Sequence, residues 1–323
     1  MMLTTTGLPL LLNSTVALDS EFILIGFPGL EQWQKWFSLP LVFFLLLAMV
    51  ANITLIITIY REHTLHQPMY YFLCNLGIID LSLSIIITPK LLTILWFDAH
   101  SISMAECFTQ MFFGHLLFLT ESGTLAAMAS DRYIAIWSPL RYTSILNNRL
   151  VLKIIVIISG RAFLCSLPVP FLAAQLHYCS DHIIKHSYCN NIAVTKLSCD
   201  DISLNSIYQM TVVNLMLGGD LLFIFLSYCL ILWTVLKLHV ERAFAKALST
   251  CSSHLIIILI FYSIIIVVAI THHTENEFMT SIAIVLNVFL VIVPPAMNPI
   301  IYGVRNTDIN LGLKKHLSNR CCG

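Results

Sequence analysis

The sequence predicts an all-α membrane protein: a seven-transmembrane helix bundle with its N-terminus outside and a short amphipathic eighth helix. Three observations carry that prediction. The 323-residue chain is 58% hydrophobic and only 11% charged, whereas soluble domains carry about 25% charged residues. Seven apolar runs recur along it, at about 37–60, 69–91, 105–134, 150–172, 205–236, 250–271 and 281–303. Each is long enough to cross a hydrocarbon core of about 30 Å. Twelve of the seventeen Lys and Arg, from Arg61 and Arg132 through Arg320, fall on one side of those spans, and four (Lys35, Lys90, Lys185, Lys196) on the other. Positive charge gathers on the cytoplasmic side, which puts the N-terminus out and the C-terminus in. Asp181, Asp200, Asp201, Glu275 and Glu277 lean outward. The net charge is zero, which argues against nucleic acid as a partner.

The expected layout is an extracellular segment 1–36, a bundle 37–303 and a cytoplasmic tail 304–323. Met1 to Thr15 lacks a basic n-region and a cleavage site, so the first span is expected to act as its own signal anchor. Asn13-Ser14-Thr15 is a glycosylation acceptor on the outer side. Asn52-Ile53-Thr54 has the same pattern inside the first span, where Asn52 is expected to form an interhelical hydrogen bond instead. In the third span, Cys107 lies 25 residues before Arg132. At 1.5 Å per residue, that helix runs about 37 Å, slightly more than the membrane core. The ionisable pair Asp131-Arg132 then sits at the inner edge, where such pairs mark function, although a plain helix cap is the alternative.

Of ten cysteines, Cys107, Cys179, Cys189 and Cys199 lie outside, where disulfides form, and allow three pairings. Cys74, Cys165, Cys229 and Cys251 are expected as small buried hydrophobes. Cys321 and Cys322 follow a stretch in which Ile309, Leu313 and Leu317 recur every four residues, the pattern of a helix on the inner leaflet. These two are either palmitoylation sites or free thiols. His177, His182 and His186 crowd the long outer loop; they suit Zn or Cu, but solvated loop histidines are the expectation, and no metal site is assigned. Asp80, Glu121 and Asp220 form no charge ladder and the chain has no inverted repeat, which counts against a transporter. No nucleophile motif, H-E-x-x-H helix or phosphate loop points to an enzyme.

Five motifs then occur in order. They are Leu65-His66-Gln67-Pro68-Met69-Tyr70-Tyr71-Phe72-Leu73, Met128-Ala129-Ser130-Asp131-Arg132-Tyr133, Ser227-Tyr228, Lys246-Ala247-Leu248-Ser249-Thr250-Cys251-Ser252-Ser253-His254, and Asn298-Pro299-Ile300-Ile301-Tyr302. With them the chain resembles, along nearly its whole length, an olfactory receptor of the rhodopsin-like G protein-coupled receptor family. Gly26-Phe27-Pro28-Gly29-Leu30, the loop ending His186-Ser187-Tyr188-Cys189, Asp220 and Pro294-Pro295 resemble its fish-like (class I) branch. Ser130 and Trp137 depart from the aromatic residue and the cysteine usual there. No proline follows Phe261-Tyr262-Ser263 in span six, as in odorant receptors, and His273 stands where class I members often carry arginine.

The resemblance implies a plasma-membrane receptor for a small-molecule odorant, acting through a stimulatory, olfactory-type heterotrimeric G protein to raise cyclic AMP. A metabolite sensor outside the nose is the alternative. It also implies the disulfides Cys107–Cys189 and Cys179–Cys199. Asp80 and Glu121, with Asn298, are implied to form a polar core that takes a sodium ion or protons, and a hydrogen-bonded structural cluster of protonated acids is the alternative. Asp131, Arg132, Tyr133, Tyr228, Tyr302, Asn298 and Pro299 are implied as the switch, with Arg132 paired to Asp131 at rest and released towards Tyr228 and Tyr302 on activation. Lys246 and His254 would face the G protein, with solvated juxtamembrane residues as the alternative. For the ligand, Met111, His115, Phe118 and Ser122 fall at steps of four, three and four, hence on one helix face with Leu119 beside them. Val212, Val213 and Met216 are placed opposite. Span six would add Ile265, Ile266, Ala269 and His273, with Tyr262 as the floor. These residues are mostly apolar with a few polar groups, as a small hydrophobic ligand requires.

Overall fold

The structure is a computed structural model and describes residues 21–27, 34–179, 182–237, 251–263, 265–266 and 277–321. Its helices are α1 (Gln34–Arg61), α2 (Pro68–Phe97), α3 (Met104–Trp137), α4 (Asn148–Ser166, continued by Pro168–Ala174), α5 (Ser203–Lys237), α6 (described over Cys251–Ser263), α7 (Glu277–Arg305) and α8 (Thr307–Cys321). The seven-helix bundle is as expected. Five helices, α1, α2, α4, α5 and α7, are long and apolar enough to cross a membrane by themselves. α3 has the length, at 34 residues, but carries Glu106, Glu121, Asp131 and Arg132.

Local chemistry sets the helix ends. Pro68 opens α2 at its first turn, where its missing N–H costs nothing. Asp98, at φ 52°, closes α2 in the left-handed conformation. Ser103 and Glu106 form a reciprocal capping box at the start of α3, each accepting the other's backbone N–H at 3.2 Å. Asn147 caps α4 by accepting from Leu150 N at 2.9 Å.

α3 is the central post, packed against α2, α4 and α5, while α7 closes against α1 and α2. Asn52 meets its expectation: its amide donates to Ala48 O at 3.0 Å and across to Pro295 O on α7 at 2.8 Å. α8 forms as expected, but Ile309 is fully buried and packs on the bundle core with Leu313, so these two face the bundle rather than the leaflet. Gly312 allows this close approach, since a Cβ there would meet Thr58 Cγ2 at 3.0 Å. Cys251 is buried, Cys74 and Cys165 are half-buried, and Cys229 is exposed, so the expectation of four buried cysteines fails at Cys229.

One feature was not expected. Glu21–Leu24 forms β1, the centre of a three-stranded sheet with β2 (Ser101–Ser103) antiparallel on one side and β3 (Ile183–Ile184) parallel on the other. Phe22 and Leu24 alternate inward and are wholly buried against Ile102, Ile184, Cys107 and Met111. Both disulfides, Cys107–Cys189 and Cys179–Cys199, lie at this end. Disulfides need an oxidising compartment, so the sheet lies on the outer face.

Candidate functional site

At the inner end of α3, Arg132 Nε and Nη2 donate to Asp131 Oδ2 at 3.1 and 2.6 Å. Tyr142, in the loop beyond, donates its hydroxyl to Asp131 Oδ1 at 2.6 Å. The carboxylate is thus held from both sides, and Asp131 and Arg132 are buried. Burial, and then the Asp131 charge, push the Tyr142 phenol well above its ordinary range, so it remains a donor. Tyr133 packs on Ile231, Val235 and Cys251 and stacks on Trp137 at 6.2 Å between ring centres. Tyr228 Oη lies 2.8 Å from His254 Nδ1, joining α5 to α6. His254 is buried beneath Tyr228, so the alternative of a solvated juxtamembrane residue fails for it. Tyr302 Oη is buried, and no described residue bonds it.

Midway along the bundle, Asn298 Nδ2 donates to Asp80 Oδ2 at 3.1 Å, pinning α7 to α2. Asn75 Nδ2 donates to Thr124 Oγ1 at 2.9 Å, pinning α2 to α3. Glu121 is buried, and its Oε1 finds no partner among the described residues. An orphaned carboxylate oxygen is costly in such surroundings.

On the other side of α3 lies a charged network around the buried Asp220. Arg161 on α4 donates through Nη1 and Nη2 to Asp220 Oδ1 and Oδ2 on α5, at 2.9 and 2.8 Å. Ser122 on α3 donates to Asp220 Oδ2 at 2.8 Å and lies 2.9 Å from Tyr262 Oη on α6. Three helices therefore meet through one carboxylate, and α6 joins them through the Ser122 hydroxyl. Gly123 makes room for it, because a Cβ there would sit 2.6 Å from Arg161 Nη2 and 2.7 Å from Ile158 Cγ2. Sequence reasoning did not pair Asp220 with Arg161. The signal was available: two opposite charges in neighbouring apolar spans seldom stay apart.

Above the network, His115 Nδ1 donates to Met111 O at 2.8 Å, so Nε2 is the acceptor of the neutral ring. Phe118 packs on Phe261 at 5.0 Å. Leu119 and Tyr262 are buried in the same apolar cluster, with Val212, Val213, Met216 and Ile265 packed on it. Met111 belongs instead to the outer cluster under β1. Ile266 is 51% exposed and joins no core cluster, so it does not share the face of Ile265. Asn13, Lys246, Ala269, His273 and Cys322 lie outside the described residues, as does the side chain of Cys321.

The family model described as "Olfactory receptor" matches residues 41–320. The chain belongs to the olfactory receptor family. It is 50% identical to human olfactory receptor 56B2 over 305 residues, covering 94% of this chain and 96% of that one. Human olfactory receptor 56A4 is 47% identical over 94% and 97% of the two chains. Mouse olfactory receptor 56B34 is 44% identical over 95% of each. The crystal structure of squid rhodopsin superposes with a TM-score of 0.72 over 88% of this chain and 80% of that one at 18% identity, which speaks for the fold. The receptor is thus a multi-pass plasma-membrane protein that takes a small-molecule ligand and a G protein partner, and is not an enzyme.

In the outer loops of the receptor, His177 donates its backbone N–H to Asp200 Oδ2 at 2.8 Å and places Nδ1 2.9 Å from the same oxygen. Both contacts, the backbone one first, hold the Asp200 carboxyl below its ordinary range. Among the described residues, no three His, Cys, Asp or Glu side chains converge as metal ligands.

Proposed function

We propose that the receptor binds a small, mainly hydrophobic odorant in the outer half of the bundle, against His115, Phe118, Leu119, Val212, Val213 and Met216, with Tyr262 as its floor. Binding activates a stimulatory, olfactory-type G protein and raises cyclic AMP. The observation that carries this reading is the contact of Ser122 with Tyr262 and Asp220, directly below Phe118 on α3. A ligand resting on Tyr262 acts on α6 and, through Ser122, on α3. The inner end of α3 holds the Asp131–Arg132 latch. The two states differ by release of Arg132 towards Tyr228 and Tyr302, and the ligand supplies the bias.

His115 presents an acceptor nitrogen to a neutral ligand, and His273 stands where a guanidinium would hold a carboxylate. The reading therefore favours alcohols, aldehydes and esters over acids. Asp80, Glu121 and Asn298 suit a sodium ion or a shared proton, which the orphaned Glu121 oxygen supports. Their role is to couple the odorant chamber to the latch.

The test is cyclic AMP accumulation in cells expressing the receptor with a trafficking chaperone, over matched acids, aldehydes, alcohols and esters. Arg132→Ala runs alongside at equal surface expression. The expected result is a response to the neutral members that Arg132→Ala abolishes. A response that survives Arg132→Ala overturns the latch, and a preference for acids overturns the ligand class.

A further inference from the structure

A cavity lies on the inner side of the bundle. It has a volume of about 540 Å³ and sits between the α1–α2 loop and the start of α4, where His66, Thr143, Asn147, Asn148 and Arg149 supply its polar wall and Pro68 and Leu146 an apolar one. No carboxylate lines it. Arg149 has no ion-pair partner among the described residues. The Asn147 carbonyl is committed to Leu150 N, which turns its NH₂ group into the available donor. His66 Nε2 is spent on Tyr60 O at 3.3 Å and adds no free donor, so the donors are those of Arg149 and Asn147. The cavity therefore offers donors and positive charge and asks for an anion rich in acceptors.

Its depth identifies the source of that anion. Arg149 stands at the inner end of a face of α4 on which Leu152 and Val156 follow at steps of three and four. Both are about 60% exposed, and Ile157 beside them is 67% exposed. Lys153, one turn above Arg149, is exposed as well. A cationic pocket opening directly onto a lipid-facing apolar stripe, on the cytoplasmic side, is where an anionic lipid head and its chain would lie together.

We propose that this cavity binds the phosphorylated headgroup of an anionic phospholipid of the inner leaflet. Arg149 and Lys153 contact phosphate oxygens, the Asn147 amide contacts a headgroup acceptor, and one acyl chain lies along Leu152 and Val156. Since α4 also carries Arg161, bound lipid braces the helix that holds the Asp220 network. The site is separate from the odorant chamber and does not depend on it.

The full-length receptor would be reconstituted in phosphatidylcholine nanodiscs with a small fraction of phosphatidylinositol 4,5-bisphosphate, and bound lipid measured by native mass spectrometry. Arg149→Gln/Lys153→Gln is expected to retain that lipid roughly tenfold less than wild type. Lys237→Gln, at the inner end of α5 with its ammonium over Trp233, is expected to match wild type. Soluble inositol trisphosphate, which lacks the chain, is expected to bind at least about tenfold more weakly. Equal retention by the double variant, or an equal loss in Lys237→Gln, overturns the site. Binding of the soluble headgroup as tight as the lipid's overturns the lipid as its source. Should the double variant fail to fold, a lipid with a photoreactive acyl chain tests the wild type directly. Labelling within 149–157 is expected, and labelling elsewhere refutes the placement.

Discussion

Replacing Arg161 by methionine tests the architecture most directly. The change keeps the stem and removes both donors to Asp220, at 2.9 and 2.8 Å. Asp220 stays buried, with a side chain only 7% exposed, and keeps one donor, the hydroxyl of Ser122 that also meets Tyr262. Breaking a buried pair from one side costs about 3–5 kcal/mol, because a charge is left without its partner. Arg161 is one-third exposed, which places the expectation near about 3 kcal/mol, the lower end of that range. That corresponds to roughly a hundredfold change in the folded-to-unfolded ratio and to a fall in apparent Tm of about 5–10 °C. The assay is thermal unfolding of purified receptor in micelles, with surface expression measured in cells. The double variant Arg161→Met/Asp220→Leu removes both charges and is expected to be more stable than Arg161→Met alone, since no orphan remains. If Arg161→Met melts with wild type, or if the double variant loses the sum of the two single losses, the pair is not the link described.

Four further outcomes follow from the same geometry. Gly123→Ala drives a methyl group to within 2.6 Å of Arg161 Nη2 and should cost about 1–3 kcal/mol, seen as reduced surface expression; normal expression and Tm would refute the close approach. Asn52→Leu removes the 2.8 Å bond to Pro295 O and leaves that carbonyl unpaired, with an expected loss of about 1–3 kcal/mol in thermal unfolding. Phe22→Ala empties the centre of the outer sheet and should cost about 3–5 kcal/mol locally, exposing the N-terminal segment to limited proteolysis; unchanged cleavage would refute the packing. Sodium chloride should raise the Tm of the ligand-free receptor relative to choline chloride, and Asp80→Asn should abolish the difference; a sodium effect that survives Asp80→Asn removes the ion from the polar core.

The helices were legible because the signals that make them are local. Pro68, the Ser103/Glu106 box and the Asn147 cap lie within a turn of the ends they set. The spans expected at 105–134 and 205–236 became Met104–Trp137 and Ser203–Lys237. The Asp131–Arg132 pair was equally legible, since its partners are neighbours in the chain. The sheet was not, because each strand is only two to four residues long and its partners come from loops far away in sequence. The burial of His254 was not legible for a related reason: it enters an apolar span at its inner end, and only the rotation of α6 against Tyr228 buries it.

Composition, apolar run length and charge placement by themselves determined that this chain is a seven-helix membrane protein, and which end of it is inside. Those properties add up residue by residue and need no knowledge of neighbours. Only the tertiary structure decided that Arg161 answers Asp220, that Gly123 must be small and that an N-terminal strand joins the outer loops in one sheet. It also decided that Ile265 and Ile266 differ in facing. Each of these depends on the rotation of one helix about its axis relative to another. In an apolar span with residues of similar hydropathy on every side, that rotation is set by packing and by a few polar contacts 59 to 243 residues apart, not by the pattern along the chain.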